Sequence, residues 1–135
     1  MILSEHELRT NADELVVPFN PWNVASVGID LTLAADPAAR FKSGELTLDP
    51  NESIELSTVE TIKVPEYLAA FVEGVNSFVS LGLFVSGAGF IASGVKSPAH
   101  LIATNFSSRP AVLKAGQKIC RVVYMQLNHP VNKQR

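Results

Sequence analysis

Turn residues cut this chain into short pieces, and that rhythm limits its fold more than any other feature. Between Val27 and Leu127, runs of β-forming residues alternate with turn signals at strand-like spacing. The candidate strands are Val27–Leu33, Glu45–Leu48, Ser53–Leu56, Val59–Val64, Leu68–Glu73, Leu83–Ser86, Phe90–Ala92, His100–Asn105, Ala111–Leu113 and Lys118–Leu127. Asp49-Pro50-Asn51-Glu52, Pro65-Glu66 and Ser107-Ser108-Arg109-Pro110 read as turns between them. Before the first strand, Ser4 and Glu7 have capping-box spacing, which predicts a helix of about two to three turns ending near Asn11–Asp13. Pro18, Pro21 and Pro37 then exclude a long regular element, and Phe19 and Trp22 are positioned to anchor the extended segment. Asn76–Leu81 is the one internal stretch suited to a helical turn. In Lys118–Leu127 both alternating faces are mostly apolar, the pattern of a central strand or a subunit interface. The expectation is a single all-β domain over residues 1–135, a sandwich or jelly-roll-like barrel with one short N-terminal helix.

Composition narrows the function classes. The 135 residues are 47% hydrophobic with a mean hydropathy of +0.19, which argues against disorder. Ser80 and Gly82 interrupt the longest apolar stretch, far short of a membrane span, and the N-terminus has no signal-peptide pattern, so the expected location is the cytoplasm. The single cysteine, Cys120, excludes an internal disulfide and a thiolate-cluster metal site. Charge is divided: Met1–Glu73 holds 13 acids and 4 bases, whereas Gly74–Arg135 holds 7 bases and no acid. Those bases are scattered singly among apolar residues, unlike the dense patch of a nucleic-acid footprint.

Individual side chains offer few catalytic arrangements. His6, His100 and His129 share no metal-ligand spacing, and Cys120 sits in a core-like run as a small hydrophobe. Two glycine-containing stretches are more specific. Val85-Ser86-Gly87-Ala88-Gly89-Phe90-Ile91 reads either as a tight hairpin or as a backbone cradle for a ligand, and Lys114-Ala115-Gly116-Gln117-Lys118-Ile119 offers Gln117, Lys118 and the nearby Arg121 as donors.

The order of these motifs resembles the dUTPase and dCTP deaminase superfamily. Met1-Ile2-Leu3-Ser4-Glu5-His6-Glu7-Leu8-Arg9 with Pro18-Phe19-Asn20-Pro21 is similar to the opening of dCTP deaminases. Val27-Gly28-Ile29-Asp30-Leu31 resembles the first motif, Leu68–Gly74 with Asn76–Leu83 the second, Ala88-Gly89-Phe90-Ile91 with Gly94 the third, and Asn105, Pro110 and Gly116-Gln117-Lys118-Ile119 the fourth. The resemblance implies a distorted jelly-roll-like, dUTPase-type β fold, assembly as a homotrimer, and nucleotide sites between subunits.

The positions that would carry chemistry depart from that pattern. Val75-Asn76-Ser77 occupies the place of a phosphate-holding Arg-Ser-Ser or Lys-Ser-Ser, and Ser80 stands where deaminases have an arginine. Ala92 replaces the third-motif Asp, and Ile102 the general-base Glu three residues before Asn105. No catalytic residue is assigned. The ligand-binding candidates are Asp30, Asn76, Ser77, Ser80, Gln117, Lys118 and Arg121. These substitutions imply a catalytically silent trimer that either keeps a remnant nucleotide cleft or serves a regulatory or structural role. The competing expectation is an active pyrimidine deoxynucleotide enzyme whose acid or base comes from Asp30, Glu73 or a partner chain. No cofactor or bound metal is expected beyond Mg²⁺ accompanying a nucleoside triphosphate. The expected partners are further copies of the chain, a small nucleotide, and a protein partner or sister subunit, with no membrane or nucleic acid. The divided charge would let acidic and basic surfaces of neighbouring subunits meet.

Overall fold

The computed structural model of the protein describes residues 1–36, 40–75 and 81–129. Two short helices open the chain, α1 (Glu5–Thr10) and α2 (Ala12–Leu15). The single helix expected from the capping box is split at Asn11, whose side-chain amide donates to the Glu7 carbonyl at 2.9 Å. The capping box itself does not form: Ser4 stands at the N-cap, but its hydroxyl turns to the Glu7 carboxylate and caps no backbone N–H.

The strands are β1 (Val16–Val17), β2 (Ile29–Thr32), β3 (Glu45–Leu48), β4 (Ser53–Lys63), β5 (Leu68–Gly74), β6 (Leu83–Val85), β7 (Gly89–Ile91), β8 (Lys96–Asn105), β9 (Ala111–Lys114) and β10 (Lys118–Gln126), with a 3-10 turn at Pro21–Asn23. Among the described residues they form two four-stranded sheets, β1-β4-β8-β6 and β2-β10-β5-β7, and a two-stranded sheet β3-β9. Every pairing is antiparallel. The sheets are open, the sandwich form of the jelly-roll-like fold expected from the sequence.

Most strands fall where the sequence puts them, with three differences. Ser53–Leu56 and Val59–Val64 are one strand, β4, carried through by a register shift against β8 between Ser57 and Thr61. β8 begins at Lys96, and its Pro98 sits opposite Thr61 at the edge of that shift, where a missing N–H is tolerated. β1 was not foreseen, since two residues carry no alternation. Of the stretch Asn76–Leu81, only Leu81 lies within the described residues.

Alternation builds the core. Leu56, Thr58, Glu60 and Ile62 of β4 point inward, as do Val72 of β5 and Cys120 and Val122 of β10. Strand β10 is the central strand its apolar pattern predicts, lying between β2 and β5. Its Tyr124 is fully buried and donates through its hydroxyl to the Leu15 carbonyl at 2.6 Å, tying the end of α2 to the sheet.

Two polar and steric features hold the sandwich closed. Asn105, fully buried at the end of β8, donates to the carbonyls of Leu48 (3.0 Å) and Arg109 (2.8 Å), and its oxygen accepts from the backbone and hydroxyl of Ser107 (2.9 and 2.7 Å). One side chain thereby shapes the 106–110 turn and fixes it to β3. Nearby, the backbone of β5 crosses segment 85–87 so closely that a Cβ on Gly74 would lie 2.1 Å from the Val85 carbonyl oxygen, and one on Gly87 2.2 Å from that of Val72.

Replacing Asn105 with alanine removes all four bonds; the Leu48 carbonyl loses this buried donor, while that of Arg109 keeps the Ser107 hydroxyl at 2.8 Å. We expect Asn105→Ala to lower stability by about 2–4 kcal/mol in urea denaturation. A loss below about 1 kcal/mol would show that the turn holds its shape without this side chain.

Candidate functional site

The strongest charge arrangement lies across the sheet β2-β10-β5. Register places Arg121 of β10 directly opposite Asp30 of β2 on one side and Glu73 of β5 on the other, giving a row of alternating sign. Arg121 donates from Nε to Asp30 Oδ1 at 2.8 Å, and Lys118 Nζ lies 3.4 Å from Asp30 Oδ2. The Asp30 side chain is only 12% exposed, whereas those of Arg121 and Lys118 are 44% and 51% exposed. The carboxylate is therefore held beneath two cations that still face solvent.

Local backbone explains how Asp30 comes to be covered. Gly28, at φ +89°, lies against Arg121: a Cβ there would stand 2.7 Å from the Val122 carbonyl oxygen and 2.8 Å from Arg121 Cγ. Only glycine lets the 24–28 turn rest on the arginine stem.

Beside this row lie two crevices that share Glu73, Gly74 and Val75. One, of about 220 Å³, is completed by Arg121. The other, of about 300 Å³, runs between β5 and β6 and includes Phe71 and Phe84. Glu73 is exposed on the wall common to both. Phe90 of β7 stacks edge-on against Phe71 with ring centres 5.0 Å apart.

The other sequence candidates are distributed as follows. Gln117 uses its side-chain oxygen to accept from the Lys114 backbone N–H at 3.0 Å, closing the turn into β10. Asn76, Ser77 and Ser80 lie outside the described residues. Val75 packs partly buried against the core. Ala92 is exposed in the turn after β7, and Ile102 is 48% exposed on β8, in the other four-stranded sheet from Asp30. A single chain thus divides these positions between its two sheets.

Two carboxylates escaped the sequence reading. Glu55 is exposed directly across β4 from Ile102, on the same sheet face, a neighbour 47 positions away in sequence that only the register reveals. Glu60 is buried and accepts from Thr32, from the backbone N–H at 2.8 Å and from the hydroxyl at 2.7 Å. Its signal was available: once β4 is continuous, Glu60 falls in the inward register of Leu56, Thr58 and Ile62. Among the described residues, no three His, Cys, Asp or Glu side chains converge to hold a metal ion.

The comparisons with known proteins agree with this architecture. Residues 36–127 match the family model described as dCTP deaminase-like. The chain is 30% identical to the dUMP-forming dCTP deaminase of Aquifex aeolicus, in an alignment covering 96% of this chain and 84% of that protein. It is 39% identical to the corresponding enzyme of Persephonella marina over 83 residues, 62% of this chain and 46% of that one. In structure it resembles the 2'-deoxycytidine 5'-triphosphate deaminase of Agrobacterium tumefaciens, with a TM-score of 0.75, 16% identity and coverage of 98% of this chain, and it spans 50% of the length of that chain. The EIAV dUTPase aligns with a TM-score of 0.57 and 22% identity, over 81% of this chain and 86% of that one.

The site also makes a prediction about the one thiol. Cys120 lies between Lys118 and Arg121 in sequence but faces the core, where burial, reinforced by the Glu60 and Asp30 carboxylates, pushes its pKa up to about 12. At pH 8 its thiolate fraction should be about a thousandfold below that of an ordinary cysteine. A disulfide-exchange reagent should therefore leave the native protein unlabelled and react promptly after denaturation. Rapid native labelling would place the thiol at an accessible surface.

Proposed function

The chain belongs to the dCTP deaminase-like family, and from that premise we propose that it is a nucleotide-binding member without turnover, acting as a homotrimer. The observation that carries this reading is the engagement of Asp30. Its two oxygens are engaged by Arg121 and Lys118, which ties its charge into an ion-pair cluster within the chain. Ala92 and Ile102 offer no carboxylate at the positions where the resemblance calls for one, and Val75 no cation. Losing a general base removes on the order of 10²–10⁴ in rate, and losing a cation on the phosphates adds a further large penalty.

What remains suits binding. Lys118 and Arg121 are cations with more than two fifths of their side-chain surface open; Arg121 lines one crevice with Glu73 and Val75, and the adjoining crevice is walled by Phe71, Val75 and Phe84. Phosphate oxygens would compete with Asp30 for these donors, and the apolar walls would take a base or sugar. Mg²⁺ would arrive with the triphosphate, as part of the ligand. Asp30 and Ile102 lie on different sheets of one chain, an arrangement that would suit a site completed by a neighbouring copy.

A second reading, an active dCTP deaminase or dUTP diphosphatase, draws support from the names of the relatives and from Glu73. Of the two acids named from the sequence, Asp30 is engaged while Glu73 is exposed on the shared wall of both crevices. A base supplied by the chain itself would then be Glu73, or Glu55 across from Ile102.

Calorimetric titration with dCTP, dUTP and the other deoxynucleoside triphosphates, with Mg²⁺ and with cyclic dinucleotides as a separate series, tests the binding claim. We expect at least one to bind with a Kd below about 1 mM and Arg121→Gln to weaken it. Absence of any such binding would leave only a regulatory or structural trimer. Sedimentation of the same samples should give a trimer that dissociates as salt rises, because opposed acidic and basic surfaces are screened; salt-independent assembly would refute the charge contribution.

A further inference from the structure

The buried carboxylate of Glu60 has no part in the binding reading above, yet its position is unusual. It is 6% exposed, and no Lys or Arg among the described residues pairs with it. Burying an unpaired charge is costly unless strong donors compensate. Both donors come from one residue of the opposite sheet: the Thr32 N–H meets Oε1 at 2.8 Å and the Thr32 hydroxyl meets Oε2 at 2.7 Å. Bonds to an ionised acceptor are about twice as strong as neutral ones, and two from a single residue also fix its orientation.

Thr32 is the last residue of β2, an edge strand of four residues. On its other side the ladder is irregular here. Lys118 pairs with Thr32 and Cys120 with Leu31, so an extra residue of β10 intervenes. The bulge interrupts the ladder at Thr32 itself, and regular bonding resumes at Leu33, which exchanges bonds of 2.8 Å with Gln117 and Gly116. Glu60 acts from the free edge, and it is itself set in place at the register shift of β4: Thr58 donates its hydroxyl to the Glu60 carbonyl at 2.8 Å and accepts from the Ala99 N–H at 3.0 Å. Just beyond, Leu33 bridges to Thr58 and the Ala34 N–H reaches the Ser57 carbonyl at 3.0 Å.

We infer that Glu60 is a positioning residue, which fixes the end of β2 from the opposite sheet and thereby sets Asp30 under Lys118 and Arg121. Asp30 is two residues from Thr32 on the same strand, and Lys118, which closes over Asp30, is the pairing partner of Thr32 itself. If the end of β2 shifts, the distances from Asp30 to both cations change together. The inference concerns how the charge row is built and stands whether or not a nucleotide binds there.

Amide and side-chain hydrogen exchange by NMR, at a temperature well below unfolding, tests it. In the unmodified protein the Thr32 amide and the Arg121 Nε–H should both be protected. Glu60→Ala should speed exchange at both by about tenfold or more, while amides of β8 away from the bulge keep their protection. Glu60→Gln should retain most of the protection, since its amide oxygen accepts from the Thr32 N–H and its NH₂ donates to the hydroxyl. Thr32→Val removes only the hydroxyl bond, so Arg121 Nε–H exchange should rise by a smaller factor; this variant decides the matter if Glu60→Ala does not fold. A lowered Tm with unchanged Thr32 and Arg121 exchange in Glu60→Ala would overturn the inference and leave Glu60 a general stabiliser. Unchanged Arg121 exchange in Thr32→Val would overturn it equally.

Discussion

Strand β10 pairs with β5 from Cys120 to Gln126 and with β2 from Lys118 to Val122, and this double pairing sets the place of every charged group in the site. Its inward side chains, Cys120, Val122 and Tyr124, are fully buried and bind it to the core. Arg121 is carried on the opposite face and meets Asp30 and Glu73 by register alone. Because successive residues of a strand face opposite ways, a slip of one residue would bury Arg121 and expose Val122. The apolar inward face and the hydroxyl of Tyr124, anchored on Leu15, make that slip costly. The site thus inherits its geometry from the packing of the strand that bears it.

Sequence disclosed the fold well because its signals are local. Alternation located most of the strands, and the two-sided apolar pattern of Lys118–Leu127 marked the central one. Failures came where a side chain overrode a local rule. Asn11 captured the Glu7 carbonyl and split the helix, and Ser4 chose a carboxylate over the backbone. At Ser57–Thr61 a register shift looks like a strand end in sequence, which concealed both the length of β4 and the inward place of Glu60.

The grouping of the candidate residues was legible in a different way. Asp30, Lys118 and Arg121 were named from their positions relative to motifs, and the structure brings the three together. That Asp30 would spend its charge on both cations was not legible, because ion pairing across strands depends on register. The same holds for Glu55 facing Ile102. Gln117 closes the turn into β10 with its side-chain oxygen, a bond that leaves its NH₂ as a donor.

The family framework, an engaged Asp30 and apolar side chains at Val75, Ala92 and Ile102 together support our proposal that the protein holds a nucleotide and does not convert it. Mixing the protein at high concentration with dCTP or dUTP and Mg²⁺, and following ammonia and pyrophosphate release together, tests this most directly. The account predicts that neither product rises above the rate without protein, under conditions in which the nucleotide is bound. Sustained release of either, abolished by Glu73→Gln or Glu55→Gln, would contradict it and identify an active enzyme with a displaced base.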